Sequence, residues 1–293
     1  MTSIVGVIGV GAMGMGILRS ALRGGFKAIA RDIDPAREEI ARASGARVAG
    51  SAGELGAQAD AIFVVVIDSK QIEQVLSGPN GLLQAIGPGK VVLFDSTISP
   101  IDAAAFAARV EQTGAMAIDA PISGGPARAE AGTMSMMLAA SGVALERVAD
   151  VLEAVSDKRF LIGNRHGDAM RAKLVNNLMA GINLMAGAEA IALAERLGLD
   201  PKAMFDLIAV SSGQSWMFED RMSRALAGDY APRAATPVLT KDVRLANEAA
   251  RELGIELPLG SLVHRQMQAT CDGGWQQEDD AAVLKLYRRL FAS

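Results

Sequence analysis

The feature that most constrains this chain is Gly9-Val10-Gly11-Ala12-Met13-Gly14, a G-x-G-x-x-G run that directly follows an apolar stretch at residues 4–8 and opens a helical pattern. In such a run the first glycine permits a tight turn. The second lets the backbone approach a pyrophosphate, and the third lets helix pack on strand. Phosphates there meet the positive end of a helix. Asp32 falls eighteen positions after Gly14, at the end of the second apolar stretch. A carboxylate at that place can bind the adenosine ribose hydroxyls and would repel a 2′-phosphate. Ile33 stands where a phosphate-binding arginine could have been, and strand alternation points Arg31 away from Asp32. NAD is therefore expected in preference to NADP. Asp34, just before Pro35, suits a helix N-cap better than Asp32 does.

From Ser3 to about Ile162 short apolar runs alternate with helical spacing. The pattern predicts strands at 4–9, 27–30, 61–67, 91–94, 115–118 and 134–139, and helices at 12–24, 35–44, 69–76, 100–113 and 143–155. That alternation implies right-handed βαβ units on a largely parallel sheet, an α/β Rossmann-like domain. After Gly163 no strand-like run follows. Asp168 can cap a helix that continues to Leu197 and stops at Gly198, roughly 45 Å long at the usual rise per residue. Small and apolar residues cover most of its circumference, which predicts burial on nearly all sides. Helical segments follow at 201–211, 215–227, 237–253, 258–271 and 279–291. The expected domains are 1–163, dinucleotide-binding, and 164–293, an all-α substrate and dimerisation domain.

At 293 residues, half of them hydrophobic, burial is not limiting, and the length allows two cores. The net charge of −4 and the lack of a basic block argue against nucleic acid or an anionic membrane as partner. The longest strongly apolar run, at 61–67, is too short to span a bilayer, and the N-terminus lacks the marks of a signal peptide. The single cysteine, Cys271, suits a reducing compartment, so a soluble cytoplasmic protein is expected. His166 and His264 have no metal-ligand spacing, and no metal site is expected. Fourteen scattered methionines read as core packing.

Two constellations carry chemistry. Ser123-Gly124-Gly125 follows an apolar strand and offers backbone N–H groups without side-chain obstruction, a concavity that suits a carboxylate, although an ordinary turn has the same composition. Lys173 and Asn177 are four apart and share one helix face. A buried Lys173 can move a proton, its pKa lowered by burial and by a nearby cationic ring. It can equally be a snorkelling lysine beside Arg171. Lys241-Asp242 reads as an exposed ion pair as readily as a functional pair. Trp216 and Phe218 can line a substrate pocket, though aromatics on a helix more often serve a core. Trp216 is carried forward as a substrate-binding candidate.

Taken in order, the glycine loop, Asp95-Ser96-Thr97-Ile98-Ser99-Pro100, Asp119-Ala120-Pro121-Ile122-Ser123-Gly124-Gly125, Lys173-Leu174-Val175-Asn176-Asn177 and Lys241-Asp242 resemble the β-hydroxyacid dehydrogenase family nearly end to end. That family includes 3-hydroxyisobutyrate dehydrogenase and tartronate semialdehyde reductase. Ser215-Trp216-Met217-Phe218-Glu219-Asp220-Arg221-Met222 and Glu278-Asp279-Asp280 look most like its L-threonate dehydrogenase branch. One departure is Ala169, where the family often has glycine.

The resemblance implies an NAD-dependent oxidoreductase acting on a small hydroxy acid in a cleft between two domains. Lys173 would be the general acid/base and Asn177 would orient the substrate oxygen. Ser123, Gly124 and Gly125 would hold the acid group. Gly9, Gly11, Ala12, Met13, Gly14, Asp32, Ile67, Thr97 and Lys241 would meet the cofactor, with Thr97 also beside the substrate. A homodimer or homotetramer is expected. The rivals are an imine reductase or reductive aminase of similar architecture and a non-catalytic dinucleotide-binding scaffold, both of which usually lack the lysine.

Overall fold

Strand β1 (Ile4–Ile8) runs straight into the glycine loop, and helix α1 (Ala12–Arg23) carries the chain back along the sheet to β2 (Lys27–Arg31). This computed structural model describes residues 4–292, so Ser3, where the alternating region was expected to begin, lies outside the described residues. Asp34 caps α2 (Pro35–Ala43) by accepting from the Ala36 N–H, with Pro35 in the first turn where no N–H is needed. Then come β3 (Arg47–Val48), α3 (Ala52–Gln58), β4 (Ala61–Val64), α4 (Ser69–Ser77), β5 (Val91–Phe94), α5 (Pro100–Glu111) and β6 (Met116–Asp119). These six strands lie in the order β3-β2-β1-β4-β5-β6, every neighbouring pair parallel. β4 and β5 are buried at every position, which explains their unbroken apolar sequence.

Beyond β6 the sheet turns antiparallel. β7 (Ile122–Ser123) and β8 (Met134–Ala139) pair antiparallel around α6 (Gly125–Ala131), and β8 meets β6 only at Asp119↔Ala139. The predicted helix at 143–155 is two helices, α7 (Gly142–Arg147) and α8 (Ala149–Val155), before β9 (Ser156–Gly163) pairs parallel with β8. The 61–67 run ends as a strand at Val64. Past it, Val66 and Ile67 donate their N–H groups to Ser96 Oγ and Gln71 Oε1, so side chains replace a neighbouring strand. Two buried clusters line the two sheet faces, with Val5 and Val7 of β1 in one and Ile8 in the other.

Helix α9 (Asp168–Arg196) ends at Gly198, whose φ of +74° closes it. Asp168 is its first helical residue rather than its cap. The Gly167 carbonyl takes the first helical bond, from Arg171 N, while the Asp168 carboxylate pairs with Arg171 at 2.7 Å. Compact units meet between Lys173 and Leu174, ten residues past the expected boundary at 163, because the first turns of α9 belong to the first unit. Met170 is fully buried in that unit's core.

In the second unit α9 is followed by α10 (Pro201–Ala209), α11 (Trp216–Leu226), α12 (Thr236–Glu252), α13 (Pro258–Thr270) and α14 (Val283–Phe291). Leu184, Met185, Ala188 and Ile191 of α9 enter its core. A Cβ at Gly187 would lie 2.8 Å from the Phe218 ring and one at Gly181 2.9 Å from Val243, so small residues on α9 let neighbours close in. Burial is not complete, however: Val175, Met179 and Leu193 are 69%, 57% and 51% exposed and lie along one face. By length and composition α9 could cross a membrane, yet half of its most apolar window is buried inside the fold, as befits a core helix. Asp279 and Asp280 are structural: Asp280 holds Arg221 at 2.5 Å, and Asp279 accepts from the N–H groups of Arg233 and Ala234.

Candidate active site

The strand order reverses between β1 and β4, and the glycine loop sits at the carboxyl ends of those strands, where open α/β sheets bind ligands. Gly9 has a φ of +89°, and a Cβ there would overlap the Val65 carbonyl oxygen. A Cβ at Gly14 would overlap the Gly9 carbonyl oxygen, so this glycine sets the helix-to-strand spacing. At Gly11 the nearest atom to an added Cβ is the Arg37 guanidinium, 3.4 Å away, which leaves open backbone at the start of α1. This cradle fits a dinucleotide pyrophosphate.

Asp32 is 5% exposed at the end of β2. Its Oδ2 accepts from Val10 N at 2.8 Å and its Oδ1 from Asp34 N at 3.0 Å, tying β2 to the glycine loop. Arg31 does turn from that carboxylate: its guanidinium donates to the Asp32 backbone carbonyl and to Glu38 Oε1. Arg37, which drew no attention in the sequence, places Nη1 3.9 Å from Asp32 Oδ2. Ala12 and Met13 open α1, while Ile67 is exposed in the loop after β4.

The Ser123 turn belongs to the same unit. Ser123 ends β7, and Gly124 and Gly125 have φ of +125° and +74°. Thr97 lies between β5 and α5, after the buried Asp95 and Ser96. Neither Asp95 carboxyl oxygen has a hydrogen-bond partner among the described residues, and burial pushes this carboxyl well above the usual range. Lys173 is buried, 6% exposed, at the end of this unit.

What sequence reasoning missed is how α9 is launched. Asp119, fully buried at the end of β6, accepts from Gly167 N through Oδ2. His166 lies between Asp119 and Glu111, with Nδ1 3.6 Å from Asp119 Oδ1 and Nε2 2.9 Å from Glu111 Oε1. Those partners are 47 and 55 residues away, a separation that no local pattern reports.

In the second unit Asn177 is buried and donates from Nδ2 to Asp242 Oδ2 at 2.6 Å, while its Oδ1 accepts from Asn176. Asp242 also meets Lys241 Nζ at 2.9 Å. With Asp242 only 3% exposed, Lys241-Asp242 is no solvated surface pair. The two aromatic candidates part company. Phe218 is core, stacked on Phe205 with centroids 5.3 Å apart, because helical spacing turns it inward from Ser215, the N-cap of α11. Trp216 is 43% exposed and packs against the Arg221 guanidinium.

Comparison with known proteins identifies the family. The family described as the NAD binding domain of 6-phosphogluconate dehydrogenase matches residues 4–163. The family described as NAD-binding of NADP-dependent 3-hydroxyisobutyrate dehydrogenase matches 166–287. An L-threonate dehydrogenase of Cupriavidus necator is 40% identical over 98% of this chain and 97% of its own length. The crystal structure of a 3-hydroxyisobutyrate dehydrogenase from Salmonella typhimurium aligns with a TM-score of 0.91 at 37% identity, covering 97% of this chain and 99% of that one. A Mycobacterium tuberculosis 3-hydroxyisobutyrate dehydrogenase, solved with L-serine, aligns with a TM-score of 0.86 at 29% identity over 98% and 100%. The chain is an NAD(P)-binding oxidoreductase and belongs to the β-hydroxyacid dehydrogenase family, on its L-threonate dehydrogenase branch.

Proposed function

We propose that this enzyme oxidises a small hydroxy acid of the L-threonate type with NAD, using Lys173 as general base in oxidation and general acid in reduction. The observation that carries the reading is a buried lysine in the same compact unit as the glycine loop and the Ser123 turn. The glycine loop and Asp32 would hold NAD, which would supply the hydride acceptor. Ser123 Oγ and the N–H groups of Gly124 and Gly125 hold the substrate carboxylate. Neutral Lys173 takes the hydroxyl proton, and its ammonium returns that proton in the reverse direction. Asn177 Nδ2 has one hydrogen on Asp242 and a second to offer the substrate oxygen. Lys241 and Trp216 complete the cofactor and substrate contacts.

Preference for NAD over NADP is supported by the Asp32 carboxylate and by the engagement of Arg31 with Glu38. A homodimer or homotetramer is supported by the exposed apolar face of α9, since such a face is best covered by a second copy. The reading is cytoplasmic, with no nucleic-acid or membrane partner. The imine reductase and scaffold alternatives are less supported, because the relatives that match end to end at 29–40% identity carry hydroxy acid dehydrogenase names.

The test is NAD reduction across C3–C5 hydroxy acids, including L-threonate, 3-hydroxyisobutyrate, glycerate and L-serine, by wild type and Lys173→Ala. Turnover of L-threonate above the others is expected, with a loss of about 10²–10⁴ in the variant and NAD binding retained. Wild-type turnover in Lys173→Ala would overturn the reading.

A further inference from the structure

We infer that His166 is a positioning residue for catalysis, holding the start of the Lys173 helix against the strand that leads into the Ser123 turn. The inference rests on the reading of Lys173 as the acid/base and adds a group outside every motif that led to it.

The geometry places three anchors on two consecutive residues. His166 Nε2 meets Glu111 Oε1 of α5 at 2.9 Å, and Nδ1 faces Asp119 Oδ1 of β6 at 3.6 Å. The other Asp119 oxygen takes the Gly167 N–H. Gly167 then supplies the carbonyl that starts α9, and a Cβ on it would lie 2.8 Å from the Pro100 carbonyl oxygen. The segment is therefore pinned to α5 and β6 immediately before the helix begins. Lys173 stands six residues after Gly167, on α9, while Ser123 stands four residues after Asp119. One buried carboxylate thus serves both sides of the proposed chemistry, the proton-transfer helix and the turn for the substrate acid.

His166 suits this place because a protonated imidazole donates from both ring nitrogens, and both of its neighbours are carboxylates. The charged groups facing it are Glu111 from α5 and Asp119 from β6. On its own segment Arg165 and Arg171 are taken up by Asp168, at 3.4 and 2.7 Å. The Asp119 carboxylate beside the ring is the main cause that pushes the His166 pKa up to about 9, against the opposing effect of burial. Loss of the proton leaves a ring lone pair facing a carboxylate, and the segment loses one of its two side-chain anchors.

In the oxidation direction this predicts two opposite limbs in the pH profile of kcat. Deprotonation of Lys173 raises turnover, and deprotonation of His166 near pH 9 lowers it.

The experiment measures kcat, KM and NAD affinity against pH for wild type, His166→Ala and His166→Arg, with L-threonate or whichever panel acid gives the highest kcat/KM. His166 is titrated in parallel by NMR, its signal distinguished from that of His264 with a His264→Gln variant. His166→Ala should lower kcat roughly 10- to 100-fold, the effect of slight misplacement of a catalytic group, with KM and NAD affinity changed by less than about threefold. His166→Arg, which keeps a planar cation, should recover part of that loss and lack the alkaline fall. In wild type the NMR midpoint should coincide with the fall in kcat.

An unchanged kcat in folded His166→Ala overturns the inference. So does a parallel loss of kcat, NAD affinity and thermal stability, which would show a purely structural role. If neither variant folds, a wild-type NMR midpoint away from the kcat limb overturns it. Full activity in Lys173→Ala is a separate failure and removes the underlying reading instead.

Discussion

Asn177 and Asp242 are joined by a buried hydrogen bond of 2.6 Å across 65 residues of sequence. Asp242 also meets Lys241, so the carboxylate stands between the residue proposed to orient the substrate oxygen and the one proposed to meet the cofactor. Asp242→Ala leaves the Asn177 amide unpaired in a buried place, a loss of about 1–3 kcal/mol. It should lower both melting temperature and kcat. Asp242→Asn keeps the shape but not the charge, so melting should stay near wild type while KM for NAD rises. Thermal melts with steady-state kinetics separate the two effects; equal behaviour of both variants would count against a hub role.

Asp32 faces two tasks, one toward the ribose and one toward its own loop. Asp32→Ala should raise the ratio of NADP to NAD in kcat/KM by roughly 10- to 100-fold, the usual worth of hydrogen bonds to a charged group. The N–H groups of Val10 and Asp34 lose their acceptor in the same variant, so NAD affinity should fall as well. Kinetics with both cofactors check this, and a wild type that already prefers NADP would contradict it.

Asp95 is a buried acid with no partner to its carboxyl oxygens among the described residues. Burial holds its pKa well above the unfolded value, so the folded chain keeps a proton that the unfolded chain releases near pH 4. The stability this group contributes is whole below that pH and is lost as pH rises toward the folded value. Asp95→Asn removes the loss. It should melt about 2–4 °C above wild type near pH 8 and match it near pH 4. Calorimetry at the two pH values tests the sign.

Much of this molecule was legible in the sequence because its signals are local. The glycine loop, Asp34 before Pro35 and the apolar runs at 91–94 and 134–139 each declare their structure within a few residues. β9 escaped notice because Asp157, Lys158 and Arg159 precede Phe160, Leu161 and Ile162, and six of its eight residues are exposed, so no alternation marks it. α3 is only seven residues long and rich in glycine and alanine, too short for a helical period to show. The residues that brace the candidate site were hidden for another reason. Asp119 meets Gly167, Glu111 meets His166 and Asp242 meets Asn177 across separations of 48 to 65 residues, where pairing is decided by tertiary folding.

The glycine loop has a consequence for anyone who mutates it. Gly14 is closed off by the Gly9 carbonyl, while the space beside Gly11 is bounded only by a movable arginine side chain. A methyl group at Gly14 must push a helix off its strand; at Gly11 it merely occupies room meant for a ligand. Substitutions three residues apart in the same motif therefore report on different things, Gly14 on whether the domain assembles and Gly11 on what it can hold once assembled.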